Sequence, residues 1–271
     1  MSYYEALHLQ SEPFSTSPDP QFFYPSSSHD AALKRLEIAI RLRRGLNVIL
    51  GDVGTGKTTL SRMLIQLFKD ESDFIFHMVL DPSYKTEFQF LSSLGKMFGV
   101  SPTFRSTLDY KDALEKYLFQ KGVDENKTIV LLIDEGQKLT PTQIEILRTL
   151  LNYETNQYKL LQLVILSQIE LLPKIRRIKN FMDRINLKYI INPLDEHETK
   201  ALINFRLKQA GYIKSDQLFT DIAIRHIYEH TQGYPRKIAM LCHDALEMLI
   251  MRERKVVDET LVEEIMAREV R

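Results

Sequence analysis

One short segment of this 271-residue chain has the residue types and the spacing needed to bind phosphate groups. Residues 51–58 read GDVGTGKT, which fits the pattern of glycine, four residues, glycine, lysine, and serine or threonine. A predicted strand precedes the segment and a predicted helix follows it. Main-chain N–H groups and the positive end of the helix would therefore face the phosphates. Lys57 would contact the β- and γ-phosphates of a nucleoside triphosphate, and the Thr58 hydroxyl would bind Mg²⁺.

A glycine-containing turn can match this pattern by chance, but the flanking strand and helix argue against that interpretation. The positions that we predict to bind nucleotide in this part of the chain are Gly51, Asp52, Val53, Gly54, Thr55, Gly56, Lys57, Thr58 and Thr59.

A second group of residues has the chemistry to bind the metal ion and to activate water. Residues 128–133 form an apolar run that predicts a buried strand, and Asp134 and Glu135 follow it directly. In a parallel sheet these carboxylates would lie at the carboxyl edge, beside the phosphate-binding segment. We expect Asp134 to bind Mg²⁺ and Glu135 to orient and polarise the attacking water. On its own the acidic pair is equally compatible with a solvated turn, and Gly136 stands where a helix-forming residue would be expected.

Polar residues also follow a third predicted strand. The apolar run that ends at Leu166 continues into Ser167 and Gln168, and either of these polar side chains could help to align the water. An ordinary strand end explains the same two residues equally well.

Four arginines are candidates for binding the γ-phosphate. Arg176, Arg177 and Arg184 lie between this strand and the next, where one of them could reach the site of a neighbouring subunit as an arginine finger. Most arginines in proteins are surface cations, so each of these three arginines, taken singly, is better explained as a surface residue. Arg236 begins a predicted helix in the segment GYPR, and a cation there opposes the helix dipole unless it has an anionic partner.

Apolar runs and helical periods alternate through the first two thirds of the chain. The runs that we interpret as buried strands are 46–50, 74–80, 128–133, 161–166 and 185–191. The helical patterns before and between them cover 29–44, 58–69, 85–98, 108–121 and 141–154. This alternation predicts an α/β fold with a five-stranded parallel sheet and right-handed crossovers.

The strand patterns stop after Pro193. The helical patterns that follow cover 196–210, 220–232, 235–252 and 258–268. Residues 1–28 are rich in proline, serine and aromatic residues, and they predict an extended arm whose aromatic side chains pack onto the domain surface. We therefore expect an arm and linker helix at 1–44, an α/β nucleotide-binding domain at 45–192 and an all-helical lid domain at 193–271.

The overall composition narrows the class of protein. Lys plus Arg number 36 and Asp plus Glu also number 36, so no overall positive field attracts nucleic acid. Basic runs at 34–44 and 174–179 could still contact nucleic acid or a subunit, and solvated helix faces explain them as well. The single cysteine excludes an internal disulfide, and no apolar run approaches the roughly 20 residues that span a bilayer. Because the first residues also show no signal-peptide pattern, we expect a cytoplasmic protein without a transmembrane segment.

Taken together, these segments resemble the AAA+ ATPases, and more narrowly the ExeA-like ATPases of the general secretion pathway protein A type. The segments that carry this resemblance are Pro13-Phe14, Pro18-Asp19-Pro20 and Phe22-Phe23-Tyr24 of the arm, GDVGTGKTTL, LLIDEGQKL, LVILSQIEL, MDRI and GYPRKIAMLCHDAL. They extend over almost the whole chain, and the arm and the GYPR segment are more specific than the phosphate-binding pattern.

The resemblance implies ATP and Mg²⁺ as cofactors, the strand order 5-1-4-3-2 and nucleotide-dependent assembly into a ring. By position, the family's two Walker motifs correspond to Lys57, Thr58, Asp134 and Glu135. Sensor 1 corresponds to Gln168, the arginine finger to Arg184 and sensor 2 to Arg236. The family usually has alanine where this chain has Gly136. Its secretion members continue into a membrane span and a peptidoglycan-binding domain, so the chain is compatible with a cytosolic relative and with a fragment.

Three functions fit these observations. The first is an ATPase whose hydrolysis of ATP drives assembly or remodelling of a secretion, pilus or exopolysaccharide envelope system, with a membrane-complex protein as its partner. The second is a DNA-associated AAA+ regulator of the transposition type, which the zero net charge disfavours. The third is a nucleotide-switched scaffold with little hydrolysis, in which Arg236 closes on the γ-phosphate.

Overall fold

The computed structural model describes residues 3–17, 19–100, 105–178, 180–213 and 216–269. Pro18 of the arm and Lys179 of the second basic run lie outside the described residues. The chain divides into two compact units. The sheet unit comprises residues 29–52 and 60–191, and the helical unit comprises residues 1–28, 53–59 and 192–271.

The sheet unit is built on five parallel strands. They are β1 (Leu46–Gly51), β2 (Phe74–Val79), β3 (Thr128–Ile133), β4 (Leu161–Ser167) and β5 (Ile185–Ile191). Their order across the sheet is β2-β3-β4-β1-β5, with every neighbouring pair parallel. This is the predicted order 5-1-4-3-2 counted from the opposite edge, so the predicted α/β fold is confirmed.

The three central strands are apolar along their whole length because helices cover both faces of the sheet. Every residue of β1, β3 and β4 is buried. Successive side chains of a strand point to opposite faces. In β3, Ile129 and Leu131 therefore enter one apolar cluster, and Val130 and Leu132 enter the other. Burial on both faces explains why these strands appear in the sequence as continuous apolar runs.

Helices flank the strands and make up the second unit. The helices along the whole chain are α1 (Tyr3–Ala6), α2 (Ser27–Arg41), α3 (Lys57–Leu67), α4 (Glu87–Met97), α5 (Thr107–Phe119), α6 (Pro141–Leu150), α7 (Leu171–Arg176), α8 (Glu196–Gln209), α9 (Asp221–Thr231), α10 (Pro235–Met251) and α11 (Glu259–Glu269). Shorter helical turns lie at Pro20–Phe22, Gln120–Asp124, Gly136–Lys138 and Met182–Arg184. Each predicted helix has a counterpart whose ends differ by a few residues, whereas α1 and α7 were not predicted.

The helical unit has its own apolar core, which the arm helps to form. Phe14 of the arm is 1% exposed, and its ring meets that of Phe219 edge to face at 6.0 Å. The main-chain N–H of Gln10 donates to the carbonyl of Ala210 at 2.7 Å. The prediction that aromatic side chains of the arm pack onto a domain holds for Phe14, which enters the core of the helical unit. The prediction of a wholly extended arm is wrong, because Tyr3–Ala6 and Pro20–Phe22 are helical.

Candidate nucleotide-binding site

The predicted phosphate-binding segment connects β1 to α3. β1 ends at Gly51 and α3 begins at Lys57, as the sequence pattern predicts. Gly54 and Gly56 have φ angles of 82° and 90°, which residues with a Cβ rarely adopt. The backbone conformation itself therefore requires glycine at these two positions. It brings the chain to the first turn of α3, whose N–H groups lack partners within the helix.

Lys57 is the first residue of α3 and is 8% exposed, so a cation is buried at the end of the loop. Lysine is seldom buried to this degree unless an anion compensates its charge. Thr58 and Thr59 follow in the first turn of the same helix and are half-buried. The donor set of this segment is thus main-chain N–H groups, one buried ammonium and hydroxyls, which is the chemistry that a triphosphate requires.

Arg236 contacts the phosphate-binding segment within the helical unit. It is the second residue of α10, and its main-chain N–H donates to the carbonyl of Gly54 at 3.3 Å. A Cβ built on Gly54 would lie 3.0 Å from the Cβ of Arg236. The structure therefore brings these two predicted site residues together, and the Arg236 side chain is exposed.

The two predicted acidic residues lie directly after β3. Asp134 is 3% exposed, and its Oδ1 accepts a hydrogen bond from the main-chain N–H of Glu135 at 2.9 Å. Glu135 is half-buried and has left-handed backbone angles, with φ 53° and ψ 36°. This conformation costs a residue with a side chain about 1–2 kcal/mol, and it persists only where the surroundings enforce it.

Gly136 explains how the surroundings enforce this turn. A Cβ at this position would collide with Cγ2 of Ile165 and would lie 3.2 Å from the carbonyl oxygen of Leu166 and from Cβ of Ser167. The backbone of residue 136 therefore packs directly on β4, and the space admits only glycine. This contact explains why glycine stands where a helix-forming residue would be expected, because a side chain would displace the turn from the sheet.

Gln137 is a site residue that the sequence analysis missed. Its Nε2 donates to Oε2 of Glu135 at 2.6 Å, and its Oε1 accepts from the main-chain N–H of Gln168 at 3.1 Å. The Ser167 hydroxyl lies 3.3 Å from the same Oε1. The only signal in the sequence is a polar residue two positions after Glu135, which is too common a pattern to single out.

The polar strand ends of the sheet unit lie at one edge. In the register of the sheet, Leu50 pairs with Ser167 and Ile133 pairs with Ile165. The residues that follow these strand ends therefore emerge at the same edge, Asp134 and Glu135 after β3 and Gln168 after β4. Their roles in catalysis remain predictions.

A cation and carboxylate pair flanks residues 134–138, which we call the acidic turn. Lys138 Nζ donates to Oδ2 of Asp81 at 2.9 Å, which raises the pKa of Lys138, and the nearby carboxylates of Glu135 and Asp134 add to this effect. Hydrogen bonds from Ser83 and from Lys138 lower the pKa of Asp81. Both partners therefore stay charged at neutral pH, and an exposed cation stands beside the two acids.

Arg184 lies at the opposite edge of the sheet from the acidic turn. It ends a short helical turn immediately before β5 and lines a cavity of about 310 Å³ together with Arg44 and Lys159. That cavity lies at the amino ends of the strands, since Leu46 and Ile185 also line it. The structure therefore does not bring Arg184 to Asp134. Of the other two arginine candidates, Arg176 ends α7 and Arg177 follows it, and both are exposed.

The AAA domain family matches residues 40–175, which is half of the chain. General secretion pathway protein A of Aeromonas hydrophila is 35% identical over 253 residues, which are 90% of this chain and 44% of that protein. The chain thus spans less than half the length of this relative.

Solved structures share the fold at low sequence identity. The Aeropyrum pernix ORC2 protein, solved as ADPNP–ADP complexes, has a TM-score of 0.67 and 17% identity, covering 96% of this chain and 71% of that one. The Drosophila ORC bound to DNA has a TM-score of 0.71 and 20% identity, covering 100% of this chain and 66% of that one. Identities this low show the fold alone. Because the family model matches half of the chain, the chain belongs to the AAA domain family, and it is similar to general secretion pathway protein A.

Proposed function

We propose that this chain binds ATP with Mg²⁺ and hydrolyses it, and that hydrolysis drives assembly or remodelling of a secretion, pilus or exopolysaccharide envelope complex. The observation that carries the proposal is the similarity to general secretion pathway protein A. This similarity extends over 90% of the chain, so it is not confined to the nucleotide-binding motifs. The individual residue roles rest on chemistry and on positions that match the family pattern.

The phosphate-binding segment supplies the groups that hold the triphosphate. Main-chain N–H groups of residues 51–58 would donate hydrogen bonds to the phosphate oxygens, and the Lys57 ammonium would neutralise charge on the β- and γ-phosphates. The Thr58 hydroxyl and the Asp134 carboxylate are the oxygen ligands that would hold Mg²⁺. The metal ion would neutralise negative charge on the phosphates. Asp134 fits this assignment because it lies directly after β3 and its carboxylate offers the oxygen ligands that Mg²⁺ prefers.

Glu135 supplies the group that acts on water. Its carboxylate is half-buried beside the fully buried Asp134, and it would orient and polarise the water that attacks the γ-phosphate. Gln168 would assist in aligning this water as sensor 1, and Arg236 would contact the γ-phosphate as sensor 2. Because phosphoryl transfer needs positioning more than covalent chemistry, small changes at Glu135 should have large effects on rate.

Arg184 would act on a neighbouring subunit. Its place at the amino edge of the sheet keeps it away from the acids of its own chain, which supports a role as an arginine finger in an assembly of several chains. We therefore propose a nucleotide-dependent homo-oligomer as the active form. Among the described residues, no helix has the length and apolar character to cross a bilayer. A cytoplasmic location with a membrane-complex protein as partner is part of this proposal.

The nucleotide part is tested with purified protein. ATP turnover with Mg²⁺ is expected for the wild type, while Glu135→Gln should bind ATP normally and lose turnover. Glu170→Gln, which changes an exposed carboxylate at the start of α7, is the matched control and should turn over ATP like the wild type. Wild-type turnover in Glu135→Gln would refute the assigned role. Tight binding without turnover in the wild type would instead favour the scaffold interpretation.

The cellular part is tested in the organism that carries the gene. A Lys57→Ala substitution at the chromosomal locus should reduce secretion, pilus or exopolysaccharide output as strongly as deletion of the gene. Unchanged output in the deletion strain would refute an envelope role. Adding duplex DNA to the turnover assay at low salt tests the transposition-type alternative, because a protein that uses DNA as its effector should be stimulated there.

A further inference from the structure

The side chain of Gln137 connects the carboxylate of Glu135 to the end of β4. Gln137 Nε2 lies 2.6 Å from Glu135 Oε2, while Gln137 Oε1 lies 3.1 Å from the main-chain nitrogen of Gln168 and 3.3 Å from the Ser167 hydroxyl. Ser167 is fully buried, and the other three residues are half-buried. A single amide therefore contacts both the residue assigned to water activation and the strand end assigned to sensing.

The chemistry of the neighbours fixes which way the Gln137 amide points. The Glu135 carboxylate can only accept a hydrogen bond when ionised, so it requires the NH₂ group. The main-chain N–H of Gln168 can only donate, so it requires the carbonyl oxygen. A flipped amide would lose both hydrogen bonds, and the orientation of Gln137 is thus determined at both ends.

The backbone of this turn is held by contacts that do not involve the Gln137 side chain. Gly136 packs on Ile165 with no space for a Cβ. Lys174 of α7 donates to the main-chain carbonyl of Gln137 and, at 3.4 Å, to that of Leu139. The hydrogen bonds of the Gln137 amide therefore orient side chains on a turn that is already fixed.

We propose that Gln137 is a positioning residue for ATP hydrolysis, whose amide holds the Glu135 carboxylate in a fixed orientation relative to Ser167 and Gln168. This inference rests on the proposed ATPase function. A glutamate side chain that is half-exposed has several rotamers of similar energy, and the 2.6 Å bond to Gln137 selects one of them. Since Gln137 does not belong to the phosphate-binding segment, it should affect the rate of hydrolysis and leave ATP affinity unchanged.

Two variants of similar side-chain length separate the functions of the amide. Gln137→Met removes the hydrogen bonds at both ends and should lower kcat about 10- to 100-fold, the range for loss of one hydrogen bond to a charged group. Gln137→Glu keeps an acceptor for the Gln168 N–H but places a carboxylate oxygen against Glu135, so it should lower kcat at least as much. Gln157→Met, at an exposed glutamine of the same unit, is the control and should leave kcat within about twofold.

The measurements must separate positioning from a general loss of structure. For both Gln137 variants, the KM for ATP and the ATP affinity from calorimetry are expected to match the wild type, and the unfolding midpoint is expected to stay above the assay temperature. A Ser167→Ala variant completes a double-mutant cycle, in which the effects of Gln137→Met and Ser167→Ala on kcat should be clearly less than additive.

Several results would overturn the inference. They are a kcat within twofold of wild type in Gln137→Met, a Gln137→Glu variant that is as active as wild type, and a loss of kcat accompanied by an equal loss of ATP affinity or by unfolding at the assay temperature. These outcomes are distinct from failure of the proposed function, which would appear as absent turnover in the wild type or normal turnover in Glu135→Gln.

Discussion

The phosphate-binding segment and the acidic turn use glycine for different physical reasons. In the segment, Gly54 and Gly56 adopt positive φ angles, so the conformation of the main chain excludes other residues. In the acidic turn, Gly136 is required because a Cβ would collide with Ile165 of β4. The positive φ in that turn belongs instead to Glu135, a residue that bears the associated strain.

This difference shows what a sequence motif can and cannot encode. A loop whose glycines are set by its own backbone keeps the same spacing wherever it occurs, so a pattern detects it. A glycine that makes room for a neighbouring strand depends on residues about thirty positions away, and no local pattern contains that information.

The largest expected effect comes from removing the cation of the phosphate-binding segment. Lys57→Ala should weaken ATP binding by about 100-fold or more, because hydrogen bonds to charged groups contribute about 1.5–3 kcal/mol each and the charge interaction is lost as well. Calorimetry with ATP and Mg²⁺ measures this change. Lys69→Ala, at an exposed lysine just after α3, should bind ATP like the wild type. Equal affinity of the Lys57 variant and the wild type would remove the basis of the proposed function.

The second effect separates the two reasons for glycine. Gly136→Ala introduces the residue that the family usually has, yet it should lower the free energy of unfolding by about 1–3 kcal/mol, because it overpacks the contact with Ile165. Gly99 is the control, since it has a φ of 69° but open space around it. Gly99→Ala should cost only about 1 kcal/mol of backbone strain. Urea unfolding measures both values, and a Gly136 variant as stable as wild type would contradict the packing argument.

The third effect is expected at Gly54, where an added Cβ would be strained by the backbone angle and would also contact Arg236. A Cβ at Gly54 would be strained by the φ of 82° and would press on Cβ of Arg236 at 3.0 Å. Gly54→Ala should therefore weaken ATP binding about tenfold, which corresponds to 1–2 kcal/mol of strain. If calorimetry shows unchanged affinity, the loop does not need this conformation to bind nucleotide.

The smallest effect concerns the strain at Glu135. Glu135→Gly and Glu135→Ala both remove the carboxylate, but only glycine adopts the φ of 53° without strain. Glu135→Gly should therefore be more stable than Glu135→Ala by about 1 kcal/mol, although neither variant is expected to turn over ATP. Thermal unfolding of the two proteins side by side makes the comparison. Greater stability of the alanine variant would show that the turn relaxes when the side chain is removed.

The sheet and the main motifs could be predicted because their signals are local. The central strands β1, β3 and β4 are buried on both faces and so appear as continuous apolar runs, and their alternation with helices predicts parallel pairing. The phosphate-binding segment was found by its spacing. The order of the strands came from the resemblance to a family, since apolar runs do not show which strands are neighbours.

The features that were missed depend on contacts between distant parts of the chain. The aromatic residues of the arm predict packing onto a domain, but the sequence does not show that Phe14 meets Phe219, which lies far away in the chain. Gln137 matters through hydrogen bonds to Glu135 and Gln168, which only the pairing of β3 with β4 brings together. Lys174 belongs to a run of basic residues, yet its ammonium holds the acidic turn in place.

If Arg184 acts as an arginine finger, its separation from the acids of its own sheet would make the rate of hydrolysis depend on the concentration of the protein. β5 runs about 20 Å from Ile185 to Ile191, and an arginine side chain is far shorter than that distance. A solitary chain would then be a slow catalyst, and dilution would reduce the turnover of each molecule until encounters restore it. The cell would thereby consume ATP only where many copies gather, which ties expenditure of fuel to the place of assembly.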